Sequence, residues 1–307
     1  MATLYTHQSK NVTKTWLLMG VFLALIAAVG YFGSYYYGNP GIFYIAIFIS
    51  VAMNITGYWF SDKIALSMSG AKPVDPEKSS DPARDRELVR MVENLSITAG
   101  LPVPAIYIIE DPAPNAFATG RNKEHAAVAV TTGLLALLDK SELEGVIAHE
   151  LAHIGNRDTL IATVVVILVG IVSILSDIML RSTIYGNRSD DNKAGGVLAI
   201  IGIVLLILSP LFATMLQLAI SRRREYVADA TGALLTRYPE GLASALQKIT
   251  GYAERGGQPL ARASDATAHL FISNPFGAKA LNGLHKLFMT HPPAEKRIAA
   301  LRGMDIK

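Results

Sequence analysis

The chain has 307 residues, of which 51% are apolar, and its formal net charge is only +3. Its mean hydropathy is positive, which is unusual for a water-soluble protein and favours a membrane protein. It contains no cysteine, so disulfides, thiol catalysis and cysteine-based metal sites are excluded.

Two apolar runs near the N-terminus, Trp16 to Tyr37 and Ile42 to Phe60, each have the length of about 20 residues that a helix needs to cross a bilayer. Lys10 and Lys14 precede the first run, as cations do in a signal peptide. The run is longer than a signal core and lacks a small-residue cleavage site, so we predict an uncleaved anchor. The alternative of buried core helices is disfavoured because the chain has four such runs.

The polar stretch after the second run contains one predicted helix and two predicted strands. It begins with a linker at residues 69–81, which is rich in Lys, Pro, Asp and Ser. Asp81-Pro82 then starts a helix that Gly100 ends. The short apolar stretches Ala105–Ile109 and Ala126–Val130 are the predicted strands.

A further helix, predicted from a capping-box pattern at Ser141 to Glu144, carries the sequence His149-Glu150-Leu151-Ala152-His153. His149 and His153 are one helical turn apart on the same face, so both imidazoles can bind one metal ion. Glu150 is close enough to act as the base for a metal-bound water, as zinc-dependent peptide hydrolysis requires. The alternative is an ordinary amphipathic helix with two solvated histidines.

Two more apolar runs, Thr159–Leu180 and Val197–Ile220, predict a second pair of membrane spans. Cations follow the second and fourth runs, at Lys63 to Arg90 and at Arg222 to Arg224. By the positive-inside rule, they place both polar segments and both termini in the cytoplasm. Anionic lipid headgroups explain these cations better than nucleic acid does.

The predicted architecture is therefore a mainly helical membrane protein in four parts. Residues 1–60 form an N-terminal transmembrane hairpin, and residues 159–220 form a second transmembrane pair. Residues 61–158 and 221–307 are the two parts of one catalytic domain. Because two spans separate these parts, the chain returns to the side that it left, and both parts meet at one membrane face.

The second part of this domain supplies a candidate third metal ligand, Glu225, in the sequence Glu225-Tyr226-Val227-Ala228-Asp229. A catalytic zinc site usually has three protein ligands and one open position. Asp229 lies one turn after Glu225 and can accept a hydrogen bond from His149, which would fix the tautomer of that imidazole. Alone, this acidic spacing is more often a solvated helix face. Helices are predicted at Arg224–Thr236, at Pro239–Glu254 and from His291-Pro292-Pro293 to Leu301.

Together, these motifs resemble the HtpX-type membrane zinc metalloproteases, which are distant relatives of the CAAX-processing prenyl proteases. The resemblance rests on the His149-Glu150-x-x-His153 sequence, a pair of spans, and then Glu225-Tyr226-x-Ala228-Asp229. Two further stretches match: Asn115 to Gly120, and Thr290 to Pro293 followed by Arg297-Ile298. The similarity extends over nearly the whole chain.

The resemblance implies a cytoplasmic α+β, gluzincin-like catalytic domain with a small sheet and one Zn²⁺ per chain. It implies endoproteolysis of misfolded or membrane-associated proteins at the cytoplasmic face of the bacterial inner membrane, in envelope quality control and stress response. Asn115 and Ala116 would belong to a strand edge that holds the substrate backbone. His291 and Arg297 would stabilise the transition state.

Three other functions can be weighed against a broad endopeptidase. A prenyl-type protease for one lipidated peptide encloses a large chamber, which four spans are too few to build. A non-catalytic, zinc-stabilised membrane scaffold or chaperone would have no need of Glu150. A transporter is unsupported because the spans carry almost no central polar residues. The expected partners are protein substrates and membrane lipids, and no feature of the sequence fixes an oligomeric state.

Overall fold

The computed structural model describes residues 4–164, 222–262, 270–275 and 292–304. In these residues, helices surround a small mixed sheet, and two long apolar helices precede this domain. The predicted combination of a mainly helical chain with a small sheet is confirmed at this level.

The two apolar helices, α1 (Leu4–Tyr37) and α2 (Gly41–Trp59), pack against each other and are connected by a tight turn. In that turn, Asn39 Oδ1 accepts a hydrogen bond from Gly41 N at 2.9 Å. Both helices are long and apolar enough to cross a membrane. Only 17% and 11% of their most apolar windows are buried inside the protein, so most of these side chains face outward, where a bilayer can cover them. The first predicted hairpin is therefore confirmed as a pair of helices.

Helix α1 already includes Leu4, twelve residues before the predicted apolar run, because no glycine or proline interrupts residues 4–15. The second predicted pair of spans lies almost entirely outside the described residues. Its first residues fall within a helix that is described over residues 158–164.

The sheet has four strands: β1 (Lys72–Pro73), β2 (Ala105–Ile109), β3 (Ala116–Gly120) and β4 (Ala126–Thr131). Their order is β1-β2-β4-β3, with β2 and β4 parallel and the other pairs antiparallel. The predicted strands β2 and β4 are confirmed. β1 lies within the predicted linker, where two residues pair with β2. β3 is at the edge of the sheet.

Seven helices complete the described part of this domain, and α6 is at its centre. It packs against α4, α7 and α8, and it shares a hydrophobic core with one face of the sheet. The helices are α3 (Ser61–Ser69), α4 (Pro82–Ala99), α5 (Thr132–Leu137), α6 (Lys140–Asn156), α7 (Arg222–Thr236), α8 (Pro239–Glu254) and α9 (Ala294–Arg302). The predicted helices that correspond to α4, α6, α7, α8 and α9 are confirmed, whereas α3 lies in a stretch that the sequence left unassigned.

The two ends of α6 differ from the predicted ends. Its capping box is formed by Asp139 and Glu142, two residues before the predicted pair, because Asp139 Oδ1 accepts from Glu142 N and Glu142 Oε2 accepts from Asp139 N. The helix ends at Asn156, where Arg157 adopts a left-handed conformation with φ of 57°. A new helix begins at residue 158, so the chain turns sharply just after His153.

Candidate metal centre

His149 and His153 lie one turn apart on α6, and their imidazoles point toward a shared position. Their Nε2 atoms are 3.1 Å apart, and the ring planes are nearly perpendicular. His149 is fully buried, whereas the side chain of His153 keeps 14% of its exposure. The motif helix therefore presents two imidazole nitrogens to one position, with partial access from the side of His153.

Glu225, in the first turn of α7, brings a carboxylate to the same position. Its Oε1 lies 3.6 Å from His153 Nε2, and its Oε2 lies 3.8 Å from His149 Nε2. A glycine allows this approach: a Cβ atom on Gly232 of α7 would come within 3.0 Å of the backbone nitrogen of His149. The backbones of α6 and α7 therefore approach each other closely beside His149.

The donor set fits a zinc ion in both chemistry and spacing. One ligand atom from each of His149, His153 and Glu225 can be chosen so that all three lie within 4.8 Å of one another. Zinc bonds of about 2.0–2.2 Å place tetrahedral ligands roughly 3.3–3.6 Å apart. The separations of 3.1, 3.6 and 3.8 Å lie around this range, so small side-chain adjustments would complete the coordination.

Each imidazole is backed by an aspartate and each aspartate by an arginine, which gives two structures that we call arms. In the Asp229 arm, Asp229 Oδ1 lies 3.0 Å from His149 Nδ1. Arg297 of α9 donates two hydrogen bonds to Asp229, at 2.8 Å from Nε and 2.6 Å from Nη2. Both residues are almost fully buried. The predicted site residues Asp229 and Arg297 are thus in contact with each other beside His149, and Arg297 Nη2 also lies 3.4 Å from His149 Nε2.

In the Asp158 arm, Asp158 Oδ2 lies 3.2 Å from His153 Nδ1. Arg224 Nη1 donates to Asp158 Oδ1 at 3.3 Å, and its side chain keeps 15% of its exposure. Arg224 was predicted to contact lipid headgroups, and this prediction is wrong for its side chain, which turns inward to Asp158. A carboxylate that accepts from Nδ1 leaves Nε2 available to a metal ion, so both arms favour the ligating tautomer.

The side chains around the shared position carry more negative than positive charge, which favours the binding of a cation. Four carboxylates of this cluster are buried, whereas the cluster holds two guanidinium groups, and the histidines are neutral when they ligate a metal. The excess is therefore two negative charges, which a divalent cation would neutralise. The carboxylates belong to Glu150, Asp158, Glu225 and Asp229, and the guanidinium groups to Arg224 and Arg297.

The two imidazoles have different proton affinities. Burial lowers the pKa of His149 to about 4, in spite of its hydrogen bond to Asp229. Burial also lowers the pKa of His153, but the Glu225 and Asp158 carboxylates outweigh this effect and raise the pKa to about 9. Burial raises the pKa of Asp229, yet the hydrogen bond with His149 and the charge of Arg297 bring it down to about 2. Without a metal ion, a proton on His153 therefore supplies part of the missing positive charge.

Glu150 follows His149 on α6 and is almost fully buried. Its negative charge contributes to the raised pKa values of His153 and Arg297, which places it electrostatically within the cluster. Of the two residues predicted to stabilise the transition state, Arg297 lies at the site on α9, and His291 lies outside the described residues.

Asn115 and Ala116 lie at the start of the edge strand β3, beneath a segment of the same chain. Ala116 O accepts a hydrogen bond from Ile272 N at 3.0 Å. The Asn115 side chain bonds Ser273 in both directions, donating to its carbonyl oxygen at 3.0 Å and accepting from its N–H at 3.2 Å. On the far face of the sheet from α6, Phe271 packs edge-on against Phe117. The edge that was predicted to hold substrate is thus partly occupied by residues 270–275.

Sequence reasoning missed two residues of the site, Asp158 and Asn11. Asp158 follows His153 by five residues at the start of a new helix, and Asn11 donates to its carboxylate from α1. The available signals were an asparagine in the polar first part of α1 and an aspartate beside the motif, and neither spacing identifies a contact.

Comparison with known proteins gives matches over nearly the whole chain. The profile of peptidase family M48 matches residues 82–305. Proteins named protease HtpX homolog from Caldanaerobacter subterraneus subsp. tengcongensis and Thermoanaerobacter pseudethanolicus are 47% and 48% identical to the chain, over 99% of each protein. The one from Pyrococcus furiosus is 46% identical over 94% of both chains. Among solved structures, S. mikatae Ste24p is 18% identical with a TM-score of 0.47, covering 98% of this chain and 67% of that one.

Proposed function

Because the chain belongs to peptidase family M48 and is a membrane zinc metalloprotease, we propose that His149, His153 and Glu225 hold its zinc ion and that Glu150 is its catalytic base. The observation that carries this proposal is the convergence of three ligand atoms, from two helices far apart in sequence, within 4.8 Å of one another. One Zn²⁺ per chain satisfies the donor set and offsets the excess negative charge of the cluster.

A zinc ion held by His149, His153 and Glu225 would act as a Lewis acid, which would activate water and polarise the scissile carbonyl. Glu150 accepts the proton of the attacking water and returns it to the leaving amine. Its burial in the cluster keeps bulk water from competing for that proton. The Asp229 and Asp158 arms hold the two imidazoles in one tautomer and orientation.

Arg297 serves mainly to hold Asp229, because two of its three guanidinium nitrogens are bonded to that carboxylate. Its third nitrogen, Nη1, lies 3.7 Å from Glu225 Oε2 and brings positive charge close to the ligands. Charge fixed in this way can stabilise an oxyanion without reorganisation. His291 is proposed as the second donor to the transition state.

The substrate backbone is proposed to pair with the outer edge of β3, where Asn115 and Ala116 begin the strand. Asn115 O accepts a hydrogen bond from Thr131 N of β4. In an antiparallel pair, every second residue bonds the neighbouring strand, so the backbone groups of Ala116 and Ala118 point away from β4. The described residues offer no hydrogen-bond partner to the outward groups of Ala118. An extended peptide can add there as a further strand with little regard to its side chains. Pairing at Ala116 would require Ile272 to leave.

Exchange of Glu150 for Gln tests the assignment of the base. We expect the purified Glu150→Gln variant to retain zinc and to lose casein cleavage by roughly 100-fold or more, since the amide cannot accept a proton. Glu144→Gln is the matched control, because it makes the same change on the same helix outside the cluster, and it should cleave at the wild-type rate. Cleavage by Glu150→Gln at the rate of that control would remove Glu150 from the mechanism.

The active site is proposed to face the cytoplasm of a bacterial cell, at the inner membrane, where membrane-associated and misfolded proteins are the substrates. The absence of native cysteine makes the orientation directly measurable by labelling single introduced cysteines. Lys78→Cys, after the α1–α2 hairpin, should react with a membrane-impermeant maleimide only after lysis. Asn39→Cys, in the turn of the hairpin, should react in intact spheroplasts. The reverse pattern would place the site outside.

A further inference from the structure

A polar side chain of the first apolar helix reaches the metal centre. Asn11 lies at the start of the apolar window of α1, and only 5% of it is exposed. Burial of an amide costs free energy unless its donors and acceptor are hydrogen-bonded. Its Nδ2 donates to Asp158 Oδ1 at 2.8 Å and to the carbonyl oxygen of Asn156 at 3.3 Å, and its Oδ1 accepts from Arg224 Nη1 at 3.3 Å.

These hydrogen bonds join three elements at one point. The Asn156 carbonyl belongs to the last residue of α6, whose final carbonyl groups have no partner within the helix. Arg224 belongs to the first turn of α7, next to Glu225. Asn11 therefore connects α1 both to the end of the motif helix and to the helix that carries the third ligand.

The Asp158 carboxylate divides its two oxygens between the ligand and its supports. Oδ2 faces His153 Nδ1, while Oδ1 accepts from Asn11 and Arg224. The bond from Asn11, at 2.8 Å, is shorter than the 3.3 Å bond from Arg224. Of the described groups that fix the orientation of this carboxylate, Asn11 makes the shortest contact.

We propose that Asn11 is a positioning residue for the zinc ligand His153 and acts through Asp158, so that the first apolar helix forms part of the metal site. This inference rests on the proposed function, because it takes His153 as a ligand. Asn11 itself touches neither zinc nor substrate. Its expected effect is on zinc affinity and on kcat, and the effect should depend on the presence of the Asp158 carboxylate.

Asn54 provides a matched control, because it is a buried asparagine in the other apolar helix, α2. Its Nδ2 donates to Ser50 O within its own helix at 3.1 Å, and its Oδ1 has no hydrogen-bond partner in the described part of the chain. Replacement of Asn54 by Leu makes the same change in side-chain polarity without touching the metal centre.

The test compares full-length Asn11→Leu, Asn54→Leu, Asp158→Asn and the double variant Asn11→Leu/Asp158→Asn in detergent. Zinc affinity is measured by competition with a chromophoric chelator, and kcat and KM with casein. Loss of the Asp158 contact should weaken zinc binding in Asn11→Leu about fivefold, the usual effect of one hydrogen bond. Asp158→Asn should weaken it roughly 10- to 100-fold. Because Asn11 acts through Asp158, the double variant should be no weaker than Asp158→Asn.

The proposal is overturned if Asn11→Leu binds zinc as tightly as Asn54→Leu, or if the two single effects multiply in the double variant. A purely structural role would lower the thermal midpoint without changing zinc affinity, and this result also counts against the proposal. His153→Ala separates this outcome from a failure of the ligand assignment. If that variant keeps its full zinc affinity, then His153 is not a ligand and the proposed function itself is wrong.

Discussion

The two arms of the candidate metal centre contain the same types of side chain, an aspartate and an arginine, in different surroundings. In the Asp229 arm, arginine and aspartate are almost fully buried and share two hydrogen bonds of 2.6 and 2.8 Å. In the Asp158 arm, the arginine is partly exposed, its bond to the aspartate is 3.3 Å, and an asparagine from the apolar hairpin completes the contact. The Asp229 arm is therefore buried among the helices around the sheet, and we call it the closed arm. The Asp158 arm contacts the apolar hairpin, and we call it the open arm.

The pKa values of the two imidazoles on this helix are also shifted in opposite directions. Arg297 compensates the charge of Asp229, so burial dominates and His149 stays neutral with a pKa of about 4. For His153, the charge of Glu225 and the hydrogen bond and charge of Asp158 outweigh burial, so its pKa rises to about 9. His149, the proposed ligand of the closed arm, is ready for a metal ion, whereas His153, the proposed ligand of the open arm, must first lose a proton.

The largest expected effect comes from exchanging the two aspartates separately for asparagine. Asp229→Asn leaves the buried Arg297 without its main counter-charge and should cost about 3–5 kcal/mol of unfolding free energy. Asp158→Asn should cost about 1–2 kcal/mol, because Arg224 can turn toward water. Chemical unfolding of both variants in the same detergent measures the difference. Equal losses would show that burial does not distinguish the arms.

The arms also show how far a sequence can predict a site. Helical spacing predicts that His149 and His153 share a face, and an even number of predicted spans suggests that Glu225 returns to them. These inferences depend on local periodicity and on chain direction, which the sequence carries. In the closed arm, the contact of Asp229 with His149 was predicted by the same reasoning, since Asp229 lies one turn from Glu225 on a predicted helix. The hydrogen bonds from Arg297 to Asp229 were not predicted.

The open arm was not accessible, because it depends on where α1 meets the end of α6. Asp158 contacts His153 only because the helix ends at Asn156 and the chain turns sharply at Arg157. Asn11 is 147 residues away from Asp158, and no local pattern encodes that contact. Likewise, the charge of Arg224 suggested a lipid headgroup because positive charge beside a span usually has that role, whereas a buried carboxylate is a stronger partner.

A smaller effect is expected from the two arginines. Arg297→Gln should lower the thermal midpoint and reduce kcat by roughly 10-fold or more, as loss of the partner of a buried charge implies. It should still be milder than Asp229→Asn, because an uncompensated aspartate can take up a proton, whereas Arg297 stays charged. Arg224→Gln should change kcat by less than about threefold, since a partly exposed ion pair contributes little. A larger loss in Arg224→Gln than in Arg297→Gln would reverse the ranking of the arms.

The smallest and most specific effect is the pH dependence of zinc uptake. Zinc must displace the proton of His153, whose pKa is raised to about 9, but none from His149, which is neutral above a pH of about 4. Zinc affinity should therefore rise about tenfold per pH unit between pH 6 and 8, and level off above pH 9.

Calorimetry in buffers of different ionisation enthalpy should count close to one proton released per zinc at pH 7. In Asp158→Asn the His153 pKa falls, so the count should drop while His149 still releases none. A zinc affinity that does not change between pH 6 and 8 would mean that both imidazoles are already neutral before zinc binds. The two arms would then differ in structure but not in the protonation of their histidines.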